Sequence, residues 1–215
     1  MKKFQTKLLL LISLFISLGS CGVPKHLNPL NKGKKSILSE ENFKPVFKGD
    51  FKSFLFKTTL TYGSKLEFGG LLMLKQVSTD NYRVVFMTKF GMTMFDFEFG
   101  DRGFVVHKAF EQLNKKIFLK ILKQDIGMLL SRDVLGSQGL VFEKGTDPKN
   151  KKVVKIKMNK KTHYFVQGKS NRINEIHRGQ AVSIKLSGYI ANTPRSIDIQ
   201  HHSIPLRMKL TLLKH

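Results

Sequence analysis

The chain has 215 residues, a length that suits one domain whose core needs no disulfide staples. Lysine and arginine total 38 against 15 aspartates and glutamates, a formal net charge of +23 that favours polyanionic surroundings. One cysteine excludes an internal disulfide, and 18 phenylalanines without a tryptophan suit an apolar interior better than a sugar-stacking platform.

At the start, Lys2, Lys3 and Lys7 form a basic head, Leu8 to Leu18 is uncharged and apolar, and Gly19-Ser20 leads into Cys21. This is the three-part layout of a secretory signal peptide over residues 1–20. The apolar run falls short of the roughly 20 residues that a membrane span needs. Leu18-Gly19-Ser20-Cys21 resembles the lipobox of bacterial lipoproteins. That resemblance implies cleavage before Cys21, acylation of its thiol, and a bacterial cell-envelope location with the membrane as first partner. Residues 1–20 hold three lysines and no acid, so from Cys21 onward 35 basic residues face 15 acidic ones, or +20. Export disfavours nucleic acid as the polyanion and favours anionic headgroups, lipopolysaccharide or acidic glycans.

Gly22 to Lys35, with Pro24, Pro29 and Gly33, lacks a hydrophobic period and reads as a flexible tether. Ser36 to Lys48 offers at most one turn of helix near Ser39-Glu40-Glu41. Residues 21–48 are therefore expected to be a lipidated amino terminus and tether, and residues 49–215 a single β-rich domain.

The domain opens with alternation of period two. Phe54, Phe56, Thr58, Leu60 and Tyr62 share one face of a strand that ends at Gly63-Ser64. Leu66, Phe68, Gly70, Leu72 and Leu74 form the next, where Gly69-Gly70 points to a bulge or bend. Tyr82, Val84, Phe86, Thr88 and Phe90 follow, then Phe95, Phe97 and Phe99 opposite Met94, Asp96 and Glu98. A short strand from Phe104 to His107 completes an antiparallel meander. Arg83 and Lys89 stand where they can pair with Asp96 and Glu98 across strands.

The period then changes. Leu113, Ile117, Phe118, Ile121, Leu122, Ile126, Leu129 and Leu130 draw one apolar stripe at three- and four-residue spacing, a helix over about Glu111 to Ser131. Strands resume at Leu140–Glu143 and continue to the end, the last with Ile204, Leu206, Met208, Leu210 and Leu212 on one side. The fold class is mainly β: a curved antiparallel sheet or incomplete β-barrel of about ten strands, with one main amphipathic helix covering its concave face.

No catalytic constellation emerges, and an enzyme is not expected. Gly136-Ser137-Gln138-Gly139 lacks the spacing of a nucleophile elbow, and no glycine-rich loop is set to cradle phosphate. No cysteine or spaced histidine pair supports a metal site, no cofactor is implied, and His107, His163, His177, His201 and His202 read as solvated or turn residues. His201 and His202, adjacent on a strand, must point to opposite faces.

What stands out is apolar excess on one side of the meander. An apolar cavity suited to acyl chains would be lined by Phe54, Phe56, Leu60, Phe68, Leu72, Phe86, Phe90, Phe95, Phe97 and Phe99 of the early strands. Ile117, Ile121 and Leu122 of the helix and Leu206, Met208 and Leu210 of the last strand would complete it. A fully packed core is the alternative.

The order of a lipobox, antiparallel strands from about Phe51 to His107, a lid-like helix and strands to the end resembles the LolA/LolB lipoprotein-localisation superfamily. Leu66-Glu67-Phe68-Gly69-Gly70-Leu71-Leu72 followed by Tyr82-Arg83-Val84-Val85-Phe86 looks like that family's early strands. The resemblance implies a monomeric, anchored protein of the outer membrane facing the periplasm. Its apolar face would hold acyl chains of lipid or of a lipoprotein cargo and serve in their transfer or insertion. A second function stays open: an anchored accessory or structural lipoprotein that docks an acidic partner or glycan through its basic surface.

Overall fold

The computed structural model describes residues 23–24, 27, 33–47, 51–101, 103–131, 134–143, 151–158, 160–168 and 170–214. The expected signal peptide and the expected lipidation site Cys21 lie outside these residues. Among them are thirteen strands: β1 (Lys34–Ile37), β2 (Ser53–Tyr62), β3 (Leu66–Ser78), β4 (Asn81–Thr88), β5 (Thr93–Gly100), β6 (Gly103–Ala109) and β7 (Gln138–Glu143). After these come β8 (Lys152–Met158), β9 (Lys161–Gln167), β10 (Ile173–Arg178), β11 (Val182–Ser187), β12 (Ser196–His201) and β13 (Leu206–Lys214). Among the described residues one α-helix, α1, covers Lys116–Leu130.

All thirteen strands belong to one antiparallel sheet in the order β1-β7-β8-β9-β10-β11-β12-β13-β2-β3-β4-β5-β6. It does not close, and β1 and β6 are its edges. Two runs of successive hairpins, β2–β6 and β7–β13, meet where β13 pairs with β2, with Met208 opposite Leu60 and Leu210 opposite Thr58.

The period-two alternation of the early strands sets which face is buried. Phe54, Phe56, Thr58 and Leu60 point inward from β2, Leu72 and Leu74 from β3, Tyr82, Val84 and Phe86 from β4, and Phe95, Phe97 and Phe99 from β5. Register brings the aromatic residues together: Phe86 is opposite Phe95, and Tyr82 is opposite Phe99. Phe95 stacks on Phe97 with centroids 4.5 Å apart. Such ring pairs add about 0.5–1.5 kcal/mol beyond their buried area.

Gly70 does not make a bulge. It sits in register between Thr58 and Thr88, and a Cβ there would lie 1.9 Å from the Met87 carbonyl oxygen. Glycine at this position allows close backbone approach rather than an irregular ladder.

The tether expected over residues 21–48 is folded in its second half. β1 pairs with β7, Lys35 opposite Leu140. Leu38, Phe43, Val46 and Phe47 then join the core of the sheet. Asn42 fixes the turn between them, its side-chain oxygen accepting from the Ser39 amide at 3.0 Å. Phe43 meets Phe165 edge-on at 5.1 Å, and Phe47 lies 5.3 Å from Phe54. Sequence alternation misses this segment because four apolar residues separated by Pro45 and charges make no period, only isolated anchors.

The expected helix over Glu111–Ser131 is divided. Glu111–Leu113 forms a 3₁₀ turn, Lys115 is extended, and α1 starts at Lys116. At its other end Ser131 adopts a left-handed conformation, φ 52°, with its amide bonded to Gly127. Ile121, Leu122, Ile126, Leu129 and Leu130 are buried in the same core as the inward side chains of the sheet.

Candidate functional site

Beneath α1, Ile126, Leu129 and Leu130 oppose Phe56, Leu72, Leu74 and Val84 of β2–β4 and Ile197, Met208 and Leu210 of β12–β13. Phe47, from the segment after β1, closes one side. Every residue in this wall is apolar, and the space left among them is about 20 Å³. A gap of about 10–15 Å³ on this measure admits one water molecule, so the space is of single-water size and too small for an acyl chain. The open apolar cavity expected from sequence is therefore closed in this state, because leucine, methionine and phenylalanine side chains fill it.

Of the residues expected to line it, Phe56, Leu72, Met208 and Leu210 border this space. Phe54, Leu60, Phe86, Phe95, Phe97, Phe99, Ile121, Leu122 and Leu206 are buried in the surrounding core. Phe68 is half-buried, with its ring 6.3 Å from Phe110.

Two expectations fail. Phe90 is 98 % exposed: β4 ends at Thr88, and the Gly91 amide bonds back to the Thr88 carbonyl, so the alternation stops two residues early. Ile117 is 59 % exposed. Phe118, roughly 100° round the helix, takes the contact instead, 5.0 Å from Tyr62 at the end of β2.

Beside this compartment lies a cleft of about 430 Å³. It is bounded by α1, by the β5–β6 hairpin from one wing of the sheet, and by β8, β9 and β10 from the other. Phe99, Phe104, Met128 and Met158 supply apolar wall, while Lys123, Lys161 and Arg178 bring positive charge and Asp101 a carboxylate. Lys123 places its ammonium 5.2 Å over the Phe104 ring.

Arg178 leads from the cleft into a buried polar joint. Its Nη1 donates to Gln124 Oε1 at 2.7 Å and lies 3.8 Å from Asp125 Oδ1. Nε2 of His201, on β12, donates to the other Asp125 oxygen at 2.8 Å. Asp125 is 1 % exposed, and its Oδ1 accepts no hydrogen bond among the described residues. Burial pushes the Arg178 guanidinium below the usual arginine range, and Asp125 works against that shift. His163 lines the same cleft, and burial holds its imidazole down at about 4.

The histidines thus depart from their expected solvated state: His163, His177 and His201 are buried. His177 bonds Glu175 at 3.0 Å. His201 and His202 do separate as strand alternation demands, with His202 3.0 Å from the Ser183 hydroxyl while His201 meets the helix. Cross-strand pairing also holds for Arg83, whose Nη2 and Nε donate to Asp96 at 2.8 and 2.5 Å. The signal missed in the sequence was Asp125, a lone carboxylate inside an apolar helical stripe. A buried carboxylate demands a donor, so it marks where that stripe meets a polar group of the sheet.

No family model matches the chain, and no curated protein matches it. Among solved structures, the chain is similar to a LolA superfamily protein from Nitrosomonas europaea, with 10 % identity and a TM-score of 0.49 over 81 % of this chain and 88 % of that one. It is also similar to a domain from Vibrio parahaemolyticus assigned provisionally to outer membrane lipoprotein sorting, with 7 % identity and a TM-score of 0.33 over 76 % of this chain and 84 % of that one.

Proposed function

We propose that this chain is an envelope lipoprotein, anchored through acylated Cys21, that takes an acyl chain between α1 and the sheet. The observation that carries it is the wholly apolar wall shared by helix and sheet. Exchanging the methylenes of α1 for those of a lipid tail keeps that wall out of water, so the transfer term of about 0.8 kcal/mol per buried methylene nearly cancels. What opposes displacement of the helix is then its polar joint to the sheet, Asp125 with His201 and Gln124 with Arg178. An outer-membrane position facing the periplasm, with lipid or lipoprotein as cargo for transfer or insertion, fits this arrangement. Phe90 at a hairpin tip, with Met92 also exposed and Lys89 beside it, suits approach to an anionic bilayer.

The sequence has no tryptophan, so Phe56→Trp in the full chain gives a single reporter beneath α1. Saturable quenching of its fluorescence by a brominated fatty acid is the expected result. If the fluorescence stays unchanged, acyl binding at this place is wrong. The filled interior favours a second function, an anchored accessory protein docking an acidic partner or glycan, and that function gains from a null result.

A further inference from the structure

The cleft beside α1 differs in kind from the compartment beneath it, because it is open and carries charge. Among the described residues, Lys123, Lys161 and Arg178 border it, with Asp101 at the rim and Asp125 behind Arg178. Arg178 is only 8 % exposed, yet among the described residues the one hydrogen bond of its guanidinium goes to a neutral amide, Gln124. A guanidinium has five N–H donors in a planar fork suited to two oxygens of one anion. Asp125 does not fill that role, since it lies 3.8 Å away and shares its charge with His201. A desolvated guanidinium facing a cleft with donors to spare is stabilised by an incoming oxyanion.

The opposite wall is apolar. Phe99, Phe104, Met128 and Met158 offer surface to hydrocarbon within reach of the same cations. The volume falls within the roughly 300–1,000 Å³ of small-molecule sites.

We infer that the cleft holds the oxyanion head of an amphiphile, a phosphate- or carboxylate-headed lipid, with Arg178 receiving the head and Lys123 and Lys161 flanking it. This deepens the acyl-binding function proposed above and rests on it for the tail.

The test is calorimetric titration of the full chain in non-ionic detergent with dodecyl phosphate, dodecanol and inorganic phosphate. Dodecyl phosphate binds about tenfold or more tightly than dodecanol if a charge-assisted contact is gained. Arg178→Gln brings dodecyl phosphate down to the dodecanol level while leaving dodecanol unchanged. Lys123→Gln with Lys161→Gln, at two exposed positions that spare the buried joint, weakens dodecyl phosphate alone. Thermal unfolding of each variant shows that the fold persists. Equal binding of dodecyl phosphate and dodecanol overturns the head-group site and leaves acyl binding standing. Inorganic phosphate binding as well as dodecyl phosphate, with dodecanol silent, makes the cleft a free-anion site and overturns the amphiphile. If none of the three binds, both the head-group site and the acyl function fall.

Discussion

Asp125 on α1 and His201 on β12 meet through a 2.8 Å hydrogen bond with both side chains buried, a polar fastening in a largely apolar contact between helix and sheet. Cutting it from either side has unequal consequences. His201→Leu strands one carboxylate that still has Arg178 at 3.8 Å, and costs about 2–3 kcal/mol. Asp125→Leu strands both His201 and the Arg178 guanidinium, and costs about 3–5 kcal/mol. Urea unfolding of the two variants checks the order, and a reversed ranking would refute the joint as described.

Acid sensitivity follows from His163. Burial, aided by Arg178 and Lys161 and opposed by the Lys161 carbonyl, lowers its folded-state value from 6.5 to about 4. Between those values the unfolded chain takes up a proton that the folded chain refuses. Stability therefore falls as pH drops from about 6.5 to about 4, by up to about 3 kcal/mol from this group. The Tm of His163→Asn at about pH 5 should fall less, relative to neutral pH, than that of the parent chain.

Adjacent glycines separate in their tolerance. Gly70→Ala drives a methyl group into the backbone of Met87 and Thr88 and costs about 3 kcal/mol. Gly69→Ala finds only the end of Lys89 at 4.0 Å, and its Tm changes little. Comparable losses for the two would show that the close approach of β3 and β4 is not what requires glycine.

Phe90 tests membrane approach apart from folding. In a Cys21→Ser background, which removes the expected acylation site, Phe90→Ser leaves Tm unchanged because the ring touches solvent. It weakens co-sedimentation with phosphatidylglycerol vesicles about tenfold, the loss of one buried aromatic side chain. Unchanged vesicle binding would assign Phe90 no part in it.

The sequence made the faces of β2, β4, β5 and β13 legible because each has one apolar and one mixed side, so alternation alone identifies the inward residues. The same rule ran past its end at Phe90, where a Thr88–Gly91 turn stops the strand without a change in hydrophobic pattern. β1 and the anchors Leu38 and Phe43 were illegible for a different reason: their partners on β9 and on the stretch from Ser137 into β7 lie about a hundred residues away. Neither composition nor period could place Arg178 beside Gln124 and Asp125, since that neighbourhood exists only once β10 and α1 have come together. The apolar character of the compartment was readable, whereas its degree of filling depends on side-chain packing that no pattern encodes.

The carboxyl-terminal strand lies in the middle of the sheet, between β12 and β2. The wings β2–β6 and β7–β13 each assemble from neighbouring hairpins, but the seam between them joins strands far apart in the sequence. Such distant pairing forms late, after the local loops have closed. A chain emerging amino end first therefore carries an open β2 edge until β13 arrives. Trimming the nine residues of β13 would act at the centre of the molecule, splitting it into two wings with freshly bared edges prone to self-association.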